Sequence, residues 1–138
     1  MRKDDCIFCK IAAGEIPSAT IYEDELFKVI LDLGPAAKGH ALILPKNHFD
    51  DLLTVDEETG SKALLLASRV ARAIKKAFGC DGVNILQNNG KAAGQTVFHL
   101  HFHVIPRYEN DGIAIEWNPG KVSADELAII ADEIKSCM

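Results

Sequence analysis

The run His99-Leu100-His101-Phe102-His103-Val104-Ile105 places three of the chain's five histidines at alternate positions. A strand turns successive side chains to opposite faces. The three imidazoles therefore share one face, and Leu100, Phe102 and Val104 enter a core from the other. Three histidines on one face are hard to satisfy as ordinary buried sheet residues. Just before the run lies the polar, glycine-rich stretch Asn88-Asn89-Gly90-Lys91-Ala92-Ala93-Gly94-Gln95-Thr96. Together the two segments mark a reactive site.

The same reading extends along the chain. Thr20-Ile21-Tyr22-Glu23 and Leu26 to Leu31 read as strands of a hairpin turned through Asp24-Glu25. His40 to Leu44 reads as a third strand ended by Pro45, Val83 to Asn88 as a fourth and Val97 to Pro106 as a fifth. Thr54 with Glu57 has capping-box spacing and predicts a long helix to about Phe78. Ala63, Ala67, Val70, Ile74 and Phe78 form its apolar stripe, and Gly79 follows as its C-cap. Ser123 with Glu126 repeats the box before a second helix, with Leu127, Ile130, Ala131 and Ile134 inward. Short strands joined by loops, one long helix and a terminal helix predict an α+β fold with a mainly antiparallel five-stranded sheet. The Gly90–Gly94 stretch has neither P-loop nor dinucleotide spacing, and a strand rather than a helix follows it.

The chain has 138 residues and a formal net charge of −5, with an ordinary globular composition. One domain over residues 1–138 is expected, with its core at about 5–108 and a C-terminal extension over 109–138. The charge gives no electrostatic case for nucleic acid or a membrane surface as partner. No apolar run approaches the roughly 20 residues that span a bilayer, and Met1 to Cys6 lacks a signal-peptide apolar region, so a cytoplasmic location is expected. Thiols stay reduced there, and Cys6-x-x-Cys9 then points to metal more than to a disulfide.

Imidazole is a good nucleophile at one ring nitrogen when the other holds the proton. For His101 the carbonyl of His99 is a candidate to fix that tautomer. The outer imidazoles, His99 and His103, could contact phosphate oxygens or a leaving group. Gly94, Gln95 and Thr96 could supply donors for phosphate oxygens, as phosphoryl transfer requires. Two metal readings compete with this. One binds an ion with His99, His101 and His103. The other completes Cys6 and Cys9 with His48 and His99 as a closed tetrahedral zinc site. Two bland readings also remain, a pair of buried thiols and a polar hairpin loop.

These residues resemble the signature of the histidine-triad (HIT) family, in which three histidines alternate with apolar residues. The likeness extends to Asp5 to Ile11, Glu15-Ile16-Pro17, Lys38 to His48 and Gly94 to Phe98, and looks like the bacterial Hint-like branch. It runs from near Asp5 to about Tyr108. The resemblance implies a HIT-like fold and a homodimer whose two sheets join. It also implies a purine nucleotide such as AMP or GMP as ligand, and hydrolysis or transfer at the α-phosphate of nucleoside phosphoramidates or dinucleoside polyphosphates. Carried onto this chain, His101 is the nucleophile that forms a nucleotidyl-histidine intermediate, with His103 and His40 beside the phosphate and His99 completing the triad. Asn88 and Gly94 to Thr96 hold the α-phosphate, and Asp32 and Leu33 meet ribose and base. Zinc sits at Cys6, Cys9, His48 and His99, as a structural ion. Neither an organic cofactor nor a catalytic metal is required. Beyond Tyr108 the likeness is loose. Trp117 would approach the partner's site or simply pack. A nucleotide-binding interaction module with incidental hydrolysis is the alternative function.

Overall fold

The computed structural model describes residues 1–138. A short helix α1 (Ile7–Ala12) precedes β1 (Thr20–Glu23), β2 (Phe27–Leu31) and β3 (Ala41–Pro45). The long helix α2 (Glu57–Phe78), β4 (Gly82–Leu86), β5 (Phe102–Arg107) and α3 (Ala124–Cys137) follow. The five strands form one wholly antiparallel sheet in the order β1-β2-β3-β5-β4, as the α+β reading predicts.

The alternation of apolar and histidine residues divides the sheet into two faces. Ala41 pairs with Val104 and Ile43 with Phe102 in the β3–β5 register, and these residues join Leu100 and Val29 in the main core. Ala63, Leu66, Ala67, Val70 and Ile74 of α2 close that core. On the opposite face Leu42 pairs with His103 and packs with Ile30 and Leu44 under Phe8 and Ile11 of α1. The histidine face is therefore the α1 face. Leu100, Phe102 and Val104 are buried on the α2 face as expected.

Several boundaries depart from the sequence reading. The β5 ladder begins at Phe102, not Val97, because β3 pairs with it only over Ala41–Ile43. Upstream of Phe102 the chain is held instead by Phe49, whose carbonyl accepts the Leu100 N–H at 2.7 Å. Asp56, not Thr54, caps α2, accepting from Thr59 N–H at 2.7 Å. Thr54 closes a 3-10 turn over Leu52–Thr54 and bonds back to Asp51. A carboxylate there also favours the positive end of the helix dipole. Gly79 does end α2, with φ of 63° in the left-handed region that glycine adopts without penalty. The strand expected to Asn88 stops at Leu86, where the side chains of Gln87 and Asn89 bond to each other. Helix α1 had no strong sequence signal, being one and a half turns long.

The largest correction concerns α3. Its Ser123–Glu126 capping box forms as expected. Its apolar positions do not face inward, however. No residue of α3 is buried, and Leu127, Ile130 and Ile134 are all exposed. The box dictates a helix start, but nothing in it supplies a surface for the helix to cover. Residues 109–123 carry no regular element, and Arg107 anchors their beginning through Asp111, the Ile113 carbonyl and Asn84.

Ile43 is fully buried between β2, β5 and α2. We expect Ile43→Ala to cost about 2–5 kcal/mol of unfolding free energy in urea titrations, with the dichroism spectrum of the folded protein unchanged. A loss below about 1 kcal/mol would contradict this packing.

Candidate active site

The site forms where the segment 99–103, the start of β3 and α1 meet. Both nitrogens of His101 are accounted for. Its Nδ1 lies 2.6 Å from the carbonyl oxygen of His99, which can only accept, so Nδ1 carries the proton and Nε2 keeps its lone pair. The edge of Phe8 packs against the ring, with centroids 5.0 Å apart. Burial holds the His101 pKa below its ordinary value against the opposing His99 bond, and the ring is neutral and nucleophilic at pH 7.

His40 and His103 form a directed pair. The Ala36 N–H donates to His40 Nδ1 at 3.0 Å, which puts the His40 proton on Nε2. That proton is given to His103 Nδ1 at 2.9 Å, so the His103 proton sits on Nε2. Asp32 lies 3.5 Å from His40 Nε2 and accepts from Gly34 N–H. The rings of His101 and His103 are 5.1 Å apart. Desolvation, joined by repulsion from His101 and His40, lowers the His103 pKa to about 4. His40 is lowered mainly by desolvation, against the pull of Asp32. The triad thus offers one unprotonated nitrogen flanked by an N–H donor, an arrangement suited to attack on an electrophile that bears oxyanions.

His99 turns to the other side. Its Nε2–H donates to the Pro45 carbonyl at 2.9 Å, and its Nδ1 faces Cys6 Sγ at 3.4 Å and Cys9 Sγ at 3.5 Å. His48 repeats the pattern, with Nδ1 3.3 Å from Cys9 Sγ and Nε2–H donated to Asp50 at 2.8 Å. The four ligand atoms of Cys6, Cys9, His48 and His99 converge within 4.8 Å of one another. Two sulfurs and two imidazole nitrogens, each imidazole held by an acceptor on its far side, fit a tetrahedral zinc ion. The three-imidazole metal reading does not hold, because the His99 nitrogens are directed to the Pro45 carbonyl and the two thiols and do not converge with those of His101 and His103. Asp32, His40 and His103 also converge. They do not suit an ion while Ala36 N–H occupies His40 Nδ1, since His40 Nε2 must then carry a proton.

The loop before the triad is built differently from the sequence expectation. Gln95 is buried and its side chain is spent internally. It accepts from Gly90 N–H at 2.8 Å and donates to the carbonyls of Asp50 and Val97 at 2.7 and 3.1 Å. The N–H groups of Gly94 and Gln95 are also taken, by Lys91 and Gly90 carbonyls. Gln95 therefore shapes the loop and offers no donor to a ligand. Gly94, at φ 94°, lets the loop pass close to Asn88, whose side-chain nitrogen would lie 3.5 Å from an added Cβ. The Asn88 amide makes no hydrogen bond within the chain and stays available. Thr96 lies on a cleft lined also by Cys6, His48 and Phe98. Leu33 is almost fully exposed, and Trp117 is exposed on the extension. Sequence reasoning missed Asp50, Phe8 and the Pro45 and Ala36 backbone groups. Asp50 follows His48 at i+2, which is a weak same-side signal. The backbone partners leave no residue-type signal at all.

Residues 13–110 match the HIT domain family, and the chain belongs to it. Among relatives of known structure, a HIT family protein from Bacillus subtilis superposes with a TM-score of 0.93 at 40% identity, covering 98% of each chain. A zinc-bound histidine triad family protein from Mycobacterium smegmatis gives a TM-score of 0.77 at 40% identity, over 97% of this chain and 98% of that one. Among curated proteins, adenosine 5'-monophosphoramidase hnt1 of Schizosaccharomyces pombe is 39% identical over 132 residues, 95% of this chain and 96% of its own.

Because burial keeps His40 and His103 neutral in the folded protein, the unfolded chain takes up protons first as pH falls below about 6.5. Stability supplied by these groups is complete above that pH and is lost as pH drops toward 4. We expect urea titrations to show unfolding free energy falling over this window, and the fall to be shallower in His103→Gln. An equal slope in that variant would show that His103 titrates normally in the folded state.

Proposed function

We propose that the protein is a purine-nucleotide hydrolase or transferase that cleaves at the α-phosphate and passes through a nucleotidyl-histidine intermediate. The observation that carries this is the His101 ring, with Nδ1–H tied to the His99 carbonyl and Nε2 unprotonated. The activity of the fission yeast relative, an adenosine 5'-monophosphoramidase, supports AMP derivatives as the substrate class.

In the proposed cycle His101 Nε2 attacks the α-phosphorus. A phosphorus–nitrogen bond forms as the bond to the leaving group breaks. The leaving group, an amine, a carboxylate or a nucleotide, departs with the bonding pair, an amine taking up a proton from solvent as it leaves. Water then attacks the same phosphorus and gives up a proton to solvent, the bond to His101 breaks with its electron pair returning to Nε2, and the nucleoside monophosphate is released with His101 restored. Two displacements replace one harder step. His103 Nε2–H donates to a phosphoryl oxygen, and His40 holds His103 in that tautomer. The Asn88 amide and Thr96 bind the α-phosphate, in a loop shaped by Gly94 and Gln95. Asp32 meets the ribose and Leu33 the base. His99 acts through its carbonyl as a positioning residue.

In the same reading Cys6, Cys9, His48 and His99 hold a structural zinc, supported by the zinc-bound mycobacterial relative. Bound there, the ion would tie α1 and the His48 segment to the triad. Two copies would join their sheets through the β4 edge, which is unpaired in one chain and exposes Ile85, and Trp117 would approach the partner's site. Residues 5–108 form the working core of a single domain and 109–138 extend it.

Two measurements check this. On adenosine 5'-monophosphoramidate, His101→Ala should lower kcat by on the order of 1,000-fold or more while calorimetry shows AMP still bound. Turnover near wild type from that variant would overturn the nucleophile. Elemental analysis of protein purified without chelator should find one zinc per chain. Chelation or Cys9→Ser should then lower Tm by on the order of 10 °C, since such binding energy is folding energy. Metal-free protein with an unchanged Tm would refute the zinc reading.

A further inference from the structure

Two unpartnered apolar surfaces of this chain match each other. The first is the outer face of α3, where Leu127, Ile130 and Ile134 fall at helical spacing and are 54%, 44% and 58% exposed. A 14-residue helix with no buried residue is marginal alone, so it needs a surface. The second is a groove of about 360 Å³ between α2 and the β1–β2 hairpin, with Tyr22, Leu31, Val70, Ile74 and Phe78 among its walls. Leu31 and Phe78 remain exposed there.

We propose that α3 of one copy lies in this groove of a second copy, and that two copies exchange these arms reciprocally. The inference rests on the two-copy assembly proposed above. Length, charge and helix polarity all support it. Helix α3 is about 21 Å long, and the α2 wall from Leu66 to Phe78 is about 20 Å. Around the groove stand Arg69, stacked over Tyr22 at 4.8 Å, and Lys38, over Phe78 at 5.2 Å. Lys75 and Lys76 lie in the last turn of α2. None of these four cations is in a salt bridge within its own chain. Helix α3 carries Asp125, Glu126, Asp132 and Glu133 against a single Lys135.

Laid antiparallel to α2, α3 sets its acidic first turn against the basic last turn of α2, which both helix dipoles favour. The spacing then agrees along the helix. Glu126 and Glu133 are seven residues apart, as are Lys76 and Arg69, so the two pairs meet in one register. In that register Cys137 comes opposite the exposed Leu65. The arm leaves β5 under the hold of Arg107, α3 buries none of its residues in its own chain, and no α3 residue lines the groove, which leaves each groove open to the other's helix. A reciprocal exchange closes as a two-fold dimer.

The test uses the full chain with Leu65→Cys, a short bismaleimide, and native Cys137. A dimer-sized product on a denaturing gel is expected, and it should vanish in Cys137→Ser. Glu133→Lys should reduce it several-fold, and Glu133→Lys with Arg69→Glu should restore it. Sedimentation should show that removal of residues 123–138 raises the dimer Kd at least tenfold. An undiminished dimer without the cross-link would overturn the arm exchange and leave the two-copy assembly standing. A cross-link within one chain would also overturn it, placing the arm on its own groove. A full-length protein that is monomeric at every concentration would overturn both.

Discussion

The carbonyl of His99 is the group on which the site depends. It accepts the Nδ1 proton of His101 and thereby decides which nitrogen of that ring can react. A carbonyl can do this reliably only if its own residue cannot move. The His99 side chain is fully buried, with Nε2–H on the Pro45 carbonyl and Nδ1 against two thiols. One residue therefore belongs to two sites, its ring in the cysteine cluster and its carbonyl on the reactive ring. This link couples the cysteine cluster to the orientation of the His101 ring and gives α1 weight beyond its small size. That helix carries Cys9 into the cluster and Phe8 onto His101.

The second constraint is desolvation. Three imidazoles gathered on one sheet face repel one another as cations, and burial penalises the charged form of each. Both effects favour neutral rings. Neutral rings in turn require a defined order of donors and acceptors, which the chain from Ala36 through His40 to His103 supplies. The folded protein gives up stability in acid to keep this order, and in return the His101 ring stays neutral near pH 7, with Nε2 unprotonated. The loop before the triad shows the same economy. Gln95 uses every donor and acceptor of its side chain to hold the loop, while Asn88 keeps its amide free.

Much of this was legible in the sequence because it depends on side-chain period. The alternation in 99–105 predicted two faces, and the structure assigns one to the core and the other to the site. The α2 stripe and its Gly79 stop were equally readable, since a 22-residue helix averages over local ambiguity. Features that depend on tertiary neighbours were not readable. Gln95 looked like a ligand donor because its type allows it, and only the fold shows Gly90, Asp50 and Val97 taking up its side chain. Thr54 has the capping-box spacing, but the fold uses it to close the preceding 3-10 turn and leaves Asp56 to cap α2. The apolar positions of α3 were correctly seen as a stripe, but a stripe does not say which chain will cover it.

The most direct test of the account is the tautomer of each ring, read from long-range proton–nitrogen correlations of histidine-labelled protein at neutral pH. The structure predicts that His101 alone carries its proton on Nδ1. His40, His48, His99 and His103 should carry theirs on Nε2. A proton on His101 Nε2, or on both of its nitrogens at pH 7, would contradict it.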